Sequence, residues 1–110
     1  MRVLQVPKQL EIEGQTWHVY RESDAPKNLR KKGLKLLAEG VYGKTFSTAR
    51  AIVLADGLAD DHLEETFIHE LLHALLTYDT FLGVDLEEHI VELLDAPLMR
   101  VLRLLTWKET

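Results

Sequence analysis

The chain has 110 residues, 46% of them apolar and 28% charged, with a formal net charge of −5 and no cysteine. That length holds one hydrophobic core and not two, so a single domain over residues 1–110 is expected, and the composition excludes a disordered or fibrous chain. The acidic balance argues against a nucleic-acid binder, which needs a basic face, and without thiols any metal must sit on His, Asp or Glu.

The opening "MRVLQVPKQLEIEG" carries charges and a proline where an export signal needs an apolar stretch, and no segment approaches the length of a membrane span. A cytoplasmic protein without a membrane partner is therefore expected. "LEIEGQTWHVYRE" reads as a hairpin, with Leu10 and Ile12 alternating before Gly14, and Trp17, Val19 and Arg21 after it. "DAPKNLRKKGLKLLAEG" reads as a helix that starts near Pro26 and ends near Gly40, with Gly33 as a weak point. Its lysines and arginine, Lys27, Arg30, Lys31, Lys32 and Lys35, fit a solvated face or an acidic partner.

Two more strands are expected at Val41 to Phe46 and Ala51 to Ala55, the second almost wholly apolar. "LADDHLEETFIHELLHALLTYD" then reads as a helix that Asp60 or Asp61 can cap, with an apolar stripe of Phe67, Ile68, Leu71, Leu72, Leu75 and Leu76. After Gly83, the stretch "LEEHIVELLDAPLMRVLRLLTW" keeps a helical period, and Pro97 predicts a kink or two abutting helices. In that helix Leu86, Ile90, Leu93 and Leu94 define the expected core side. The fold class expected is α+β: a short antiparallel sheet of three to four strands packed on the motif helix and a C-terminal helix.

The chemistry lies in His69-Glu70-Leu71-Leu72-His73. Residues four apart on a helix stack on one face, so both imidazoles can bind one metal ion. Glu70, offset by one residue, can reach a water on the metal without itself being a ligand. This His-Glu-x-x-His pattern is the zincin motif. Zinc needs a third protein ligand, and Glu88 is the candidate on helix phase, with Glu87 and His89 as its neighbouring rivals.

"TFIHELLHALL" followed by "EEHIVELLDAPLMRVL" resembles the small zincin-like proteins of phages and bacteria related to the ImmA/IrrE peptidase family, and more distantly SprT-like and other minimal gluzincins. "GVYGKTFSTARAIVLADGL" is similar to the Gly-containing hairpin that precedes the motif helix in the small phage members. The resemblance covers roughly residues 10 to 105. It implies a minimal zincin fold, a Glu from the following helix as third zinc ligand, and a bacterial or phage-infected cell. Glu88 matches the Glu of the family's Glu-x-x-Ala-Asn segment, while the last two positions are replaced. In larger gluzincins an Asp one turn later hydrogen-bonds a ligating histidine, a place that the longer acid Glu92 occupies here. Thr77, Tyr78 and Asp79 are alternatives for that supporting role.

The function expected is zinc-dependent peptide hydrolysis, with Glu70 activating a zinc-bound water against a peptide or protein substrate. Tyr42, Tyr78, His62 and His89 are the candidate oxyanion donors, and Ala51 to Ala55 is a candidate edge for an extended peptide. The alternative is a non-catalytic, zinc-stabilised structural or interaction protein, such as a phage assembly component, with "LMRVLRLLTW" docking on a protein partner. A third reading, a DNA-associated regulator, rests on the basic cluster alone.

Overall fold

The computed structural model describes residues 5–29, 35–78 and 83–107. Strands β1 (Gln9–Ile12) and β2 (Gln15–Arg21) form the expected hairpin. Its turn is built by Glu13 and Gly14, both at positive φ (51° and 74°), the two-residue geometry whose twist matches the flanking strands. Leu10 pairs with Trp17 across it. Strands β3 (Gly43–Phe46) and β4 (Ala51–Leu54) are antiparallel to each other.

The sheet is mixed rather than wholly antiparallel. Its order is β1-β2-β4-β3, and β2 runs parallel to β4, with Val19 beside Ile52 and Arg21 beside Leu54. Parallel neighbours need a long connection, which the stretch from Glu22 to Arg50 provides, with β3 inside it. Part of that stretch, residues 30–34 with most of the basic cluster, lies outside the described residues. The described parts do not form the expected helix: Lys27–Leu29 is a single 3-10 turn, and no helix covers 35–40. The reason is local. Leu36 and Leu37 are buried together against Val53, and the Leu37 N–H donates to the Glu22 carboxylate at 3.3 Å instead of to a helical carbonyl.

β4 is internal, which corrects its expected place as an open edge. All four of its residues are buried because both faces are covered. Ile52 and Leu54 join the core formed with the helices, while Val53 meets Leu36 and Leu37 on the opposite face. β3 takes the edge position next to it. Thr45 pairs with Ile52 and Gly43 with Leu54, so these two β3 positions share the face that carries the helices.

Helix α1 (Asp60–Leu76) buries Leu63, Phe67, Ile68, Leu72 and Ala74 against Trp17, Val19, Ile52 and Leu54. Its N-cap is Ala59, without a side-chain cap; Asp60 and Asp61 sit in the first turn, where they meet the helix dipole, and the Asp61 carboxylate accepts the His62 N–H at 2.9 Å. Helix α2 (Val84–Trp107) runs through Pro97 as one element, not two. Packing holds it across the proline, since Val91 on one side and Leu98, Met99 and Leu102 on the other meet the same core. Leu86, Leu93 and Leu94 are exposed, so the core side of α2 is not the one its most regular apolar positions suggest. No helix among the described residues is long and apolar enough to cross a membrane.

Candidate metal centre

His69 and His73 lie one turn apart on α1, with ring centroids separated by 5.1 Å. α2 crosses beside them and supplies three carboxylates. Glu88 faces both rings, with Oε1 3.4 Å from His69 Nε2 and Oε2 3.1 Å from His73 Nε2. The other ring nitrogens are also engaged: His69 Nδ1 with Asp95 Oδ2 at 3.0 Å and His73 Nδ1 with Glu87 Oε2 at 2.6 Å.

These contacts orient the rings. An Nδ1–H donated to a carboxylate leaves the Nε2 lone pair of a neutral imidazole facing inward. Two such lone pairs and a Glu88 oxygen then converge, with one ligand atom from each of His69, His73 and Glu88 lying within 4.8 Å of one another. Three acceptors turned towards one point repel unless a cation or a proton lies between them. This donor set suits a tetrahedral zinc site that keeps a position open.

The electrostatics of His69 agree with this picture. Burial disfavours its charged form, but the hydrogen bond it donates to Asp95 and the charges of Glu70, Glu88 and Asp95 outweigh burial and raise its pKa above the ordinary 6.5. The site favours positive charge.

Glu70 is 7% exposed and lies outside the ligand group. The Thr45 hydroxyl on β3 lies 2.8 Å from its Oε1 and 3.0 Å from its main-chain carbonyl, so the carboxylate is held from the sheet side. Burial raises the Glu70 pKa above 4.5, against the opposing effects of the Thr45 hydrogen bond and the two histidines. β3 comes this close because residue 43 is glycine. A Cβ there would sit 2.8 Å from Thr66 Cγ2 and 3.0 Å from Glu70 Cγ.

Two cavities meet at the site. One, of about 280 Å³, is lined by Tyr42, His62, Glu65, Thr66 and Asp95, and the other, of about 340 Å³, by Lys44, Thr45, Ser47, His73, Thr77, Glu87 and Glu88. Gly43, His69 and Glu70 line both.

The structure thus brings His69, Glu70, His73 and Glu88 together. Glu87 supports His73 from its Nδ1 side, and His89 is exposed. The supporting acid expected at Glu92 is Asp95 instead; Glu92 is exposed. Helix phase accounts for this, because at about 100° per residue Asp95 falls only about 20° from Glu88 and Glu92 about 40° to the other side. Thr77 bonds the His73 carbonyl and Ser47, Tyr78 accepts from Trp17 Nε1 at 2.8 Å, and Asp79 lies outside the described residues. Of the oxyanion candidates, Tyr42 and His62 stack edge to face at 4.6 Å beside the site. Thr45 and Gly43 are the site residues that no local pattern marks. No protein-family model, curated protein or solved structure matches this chain.

Proposed function

We propose that the chain is a zinc-dependent peptidase of the zincin type, with His69, His73 and Glu88 as metal ligands and Glu70 as general base. The observation that carries this reading is the convergence of one ligand atom each from His69, His73 and Glu88 within 4.8 Å, beside a buried acid outside that group. Two imidazoles, one carboxylate and no thiolate favour zinc among the common divalent ions. The likeness of "TFIHELLHALL" and "EEHIVELLDAPLMRVL" to the ImmA/IrrE peptidases points the same way. When bound, zinc supplies Lewis acidity to a carbonyl and makes water easier to deprotonate.

The protein's own part is proton handling and positioning. Glu70, anchored by Thr45 and with its proton affinity raised by burial, takes a proton from the attacking water. The water oxygen bonds to the carbonyl carbon, the C–N bond breaks, and Glu70 returns the proton to the leaving amine. Edge strand β3 offers its outer backbone to an extended peptide, which would run past Gly43 and Thr45 and so past Glu70.

One observation favours the non-catalytic reading as well. Glu87, Glu88 and Asp95 all reach from α2 to the histidines of α1, so the same centre fastens the two helices together. Glu70→Gln separates the readings, because it keeps the shape and removes the base. The peptidase reading expects retained zinc, a retained fold and a loss of about 10²- to 10⁴-fold in cleavage of a peptide that the wild type cuts. Wild type that cuts nothing in a broad peptide library, or Glu70→Gln that cuts as fast as wild type, would retire catalysis.

A further inference from the structure

Of the two cavities that meet at the metal centre, the one of about 280 Å³ has an aromatic wall and an acidic rim. Tyr42, half-exposed, and His62 pack edge to face at 4.6 Å and form the aromatic side. Glu65 stands one turn before His69 on the same face of α1. It is exposed, and its carboxylate has no hydrogen bond or ion pair among the described residues. The other two acids of the cavity are engaged: Asp95 with His69 and with the Ala96 N–H, and Glu70 with Thr45. Among the described residues no lysine or arginine lines this cavity, whereas Lys44 lines the other one.

The floor of the cavity carries an independent signal. Thr66 is 9% exposed and its side chain lines the cavity, yet its hydroxyl has no hydrogen-bond partner among the described residues. Thr77 on the same face of the chain shows the usual solution, donating to the carbonyl of His73 four residues back. A buried hydroxyl without a partner is rare and costly, so this one calls for a polar group from a ligand. Charge says which kind. Even with a divalent ion on the histidines, the five carboxylates of Glu65, Glu70, Glu87, Glu88 and Asp95 outnumber its charge and that of Lys44 together, so the region stays negative.

We propose that this cavity holds a lysine or arginine side chain of the substrate, from the residue next to the scissile bond, with Glu65 and Thr66 as the specificity-determining residues. The assignment to a substrate rests on the peptidase reading. Gly43, His69 and Glu70 line this cavity and its neighbour alike, so a side chain that enters it comes from beside the attacked carbonyl. Its stem lies along the rings of Tyr42 and His62, which suit an apolar chain and attract a cation at its end. The Glu65 carboxylate and the Thr66 hydroxyl accept from its N–H groups. A volume of about 280 Å³ is below that of sites for whole small molecules and has room for one long side chain.

Alanine-based hexapeptides that differ at one position, carrying lysine, norleucine or glutamate, separate the charge from the stem. Titrated into the metal-free chain and followed by NMR at the Thr66 methyl and the Tyr42 ring, the lysine peptide should bind at least about tenfold tighter than the norleucine peptide, and the glutamate peptide weakest. Glu65→Gln should bring the lysine peptide to the level of the norleucine peptide, and Glu65→Lys should place the glutamate peptide first. The zinc-loaded wild type should cut a mixed-sequence peptide library beside lysine or arginine. Equal binding of the lysine and norleucine peptides, an order unchanged by Glu65→Lys, or cleavage without a basic residue beside the cut would each overturn the inference, and the last would leave the peptidase reading standing. Lysine-selective binding at Thr66 without any cleavage would keep the cation site and retire catalysis instead.

Discussion

Asp95 Oδ2 lies 3.0 Å from His69 Nδ1, one helix holding the ring of another so that its far nitrogen faces Glu88. Losing such a partner leaves the imidazole free to rotate and less basic. Asp95→Ala should therefore weaken zinc binding about 10- to 100-fold, measured by competition with a chelator. Glu92→Ala, at the exposed position one turn after Glu88, should leave the affinity unchanged.

Gly43 is expected to be intolerant of even one methyl group. The added carbon would meet Thr66 Cγ2 at 2.8 Å and Glu70 Cγ at 3.0 Å, both on buried residues of α1. Gly43→Ala should cost about 1 to 3 kcal/mol in denaturant melts. Thr66→Ser removes the closer obstacle, so the double variant should recover part of that loss; an additive cost would place the strain elsewhere.

Stability should respond to pH in opposite ways with and without metal. In the metal-free chain His69 and Glu70 both have raised folded-state pKa values, so the folded state holds more protons than the unfolded one. Their contribution is present at low pH and is lost as pH rises, from 4.5 upward for Glu70 and from 6.5 upward for His69. Zinc instead needs deprotonated imidazoles, so the stability it adds grows with pH. In chelator, the stability difference between wild type and His69→Ala should shrink from about pH 6 to about pH 8; in excess zinc it should widen over the same interval. Parallel trends in both conditions would mean that His69 does not ligate the ion.

The pair His69 and His73 is legible in the sequence because their stacking follows from four-residue spacing alone, and Glu70 comes with the motif. The hairpin is equally local, set by Glu13 and Gly14. α2 is harder to read because it is apolar on two sides: Leu86, Leu93 and Val101 repeat as regularly as Val91, Leu98 and Leu102, and only the tertiary packing decides which set is buried. The parallel β2–β4 pairing depends on a crossover whose path no periodicity encodes. Thr45 and Gly43 join the site only because that sheet brings β3 against α1, so their roles are invisible until the edge strand is known. Helix phase alone marks Asp95, which lies closer to the Glu88 face than Glu92 does.

The most direct measurement is the zinc content of the purified chain by elemental analysis, for wild type, His73→Ala and Glu88→Ala. Wild type is expected to carry about one zinc per chain, His73→Ala almost none, and Glu88→Ala to lose its zinc to a chelator that leaves wild type loaded. A wild type without near-stoichiometric metal even after incubation with zinc, or zinc retained equally by both variants, would contradict the account.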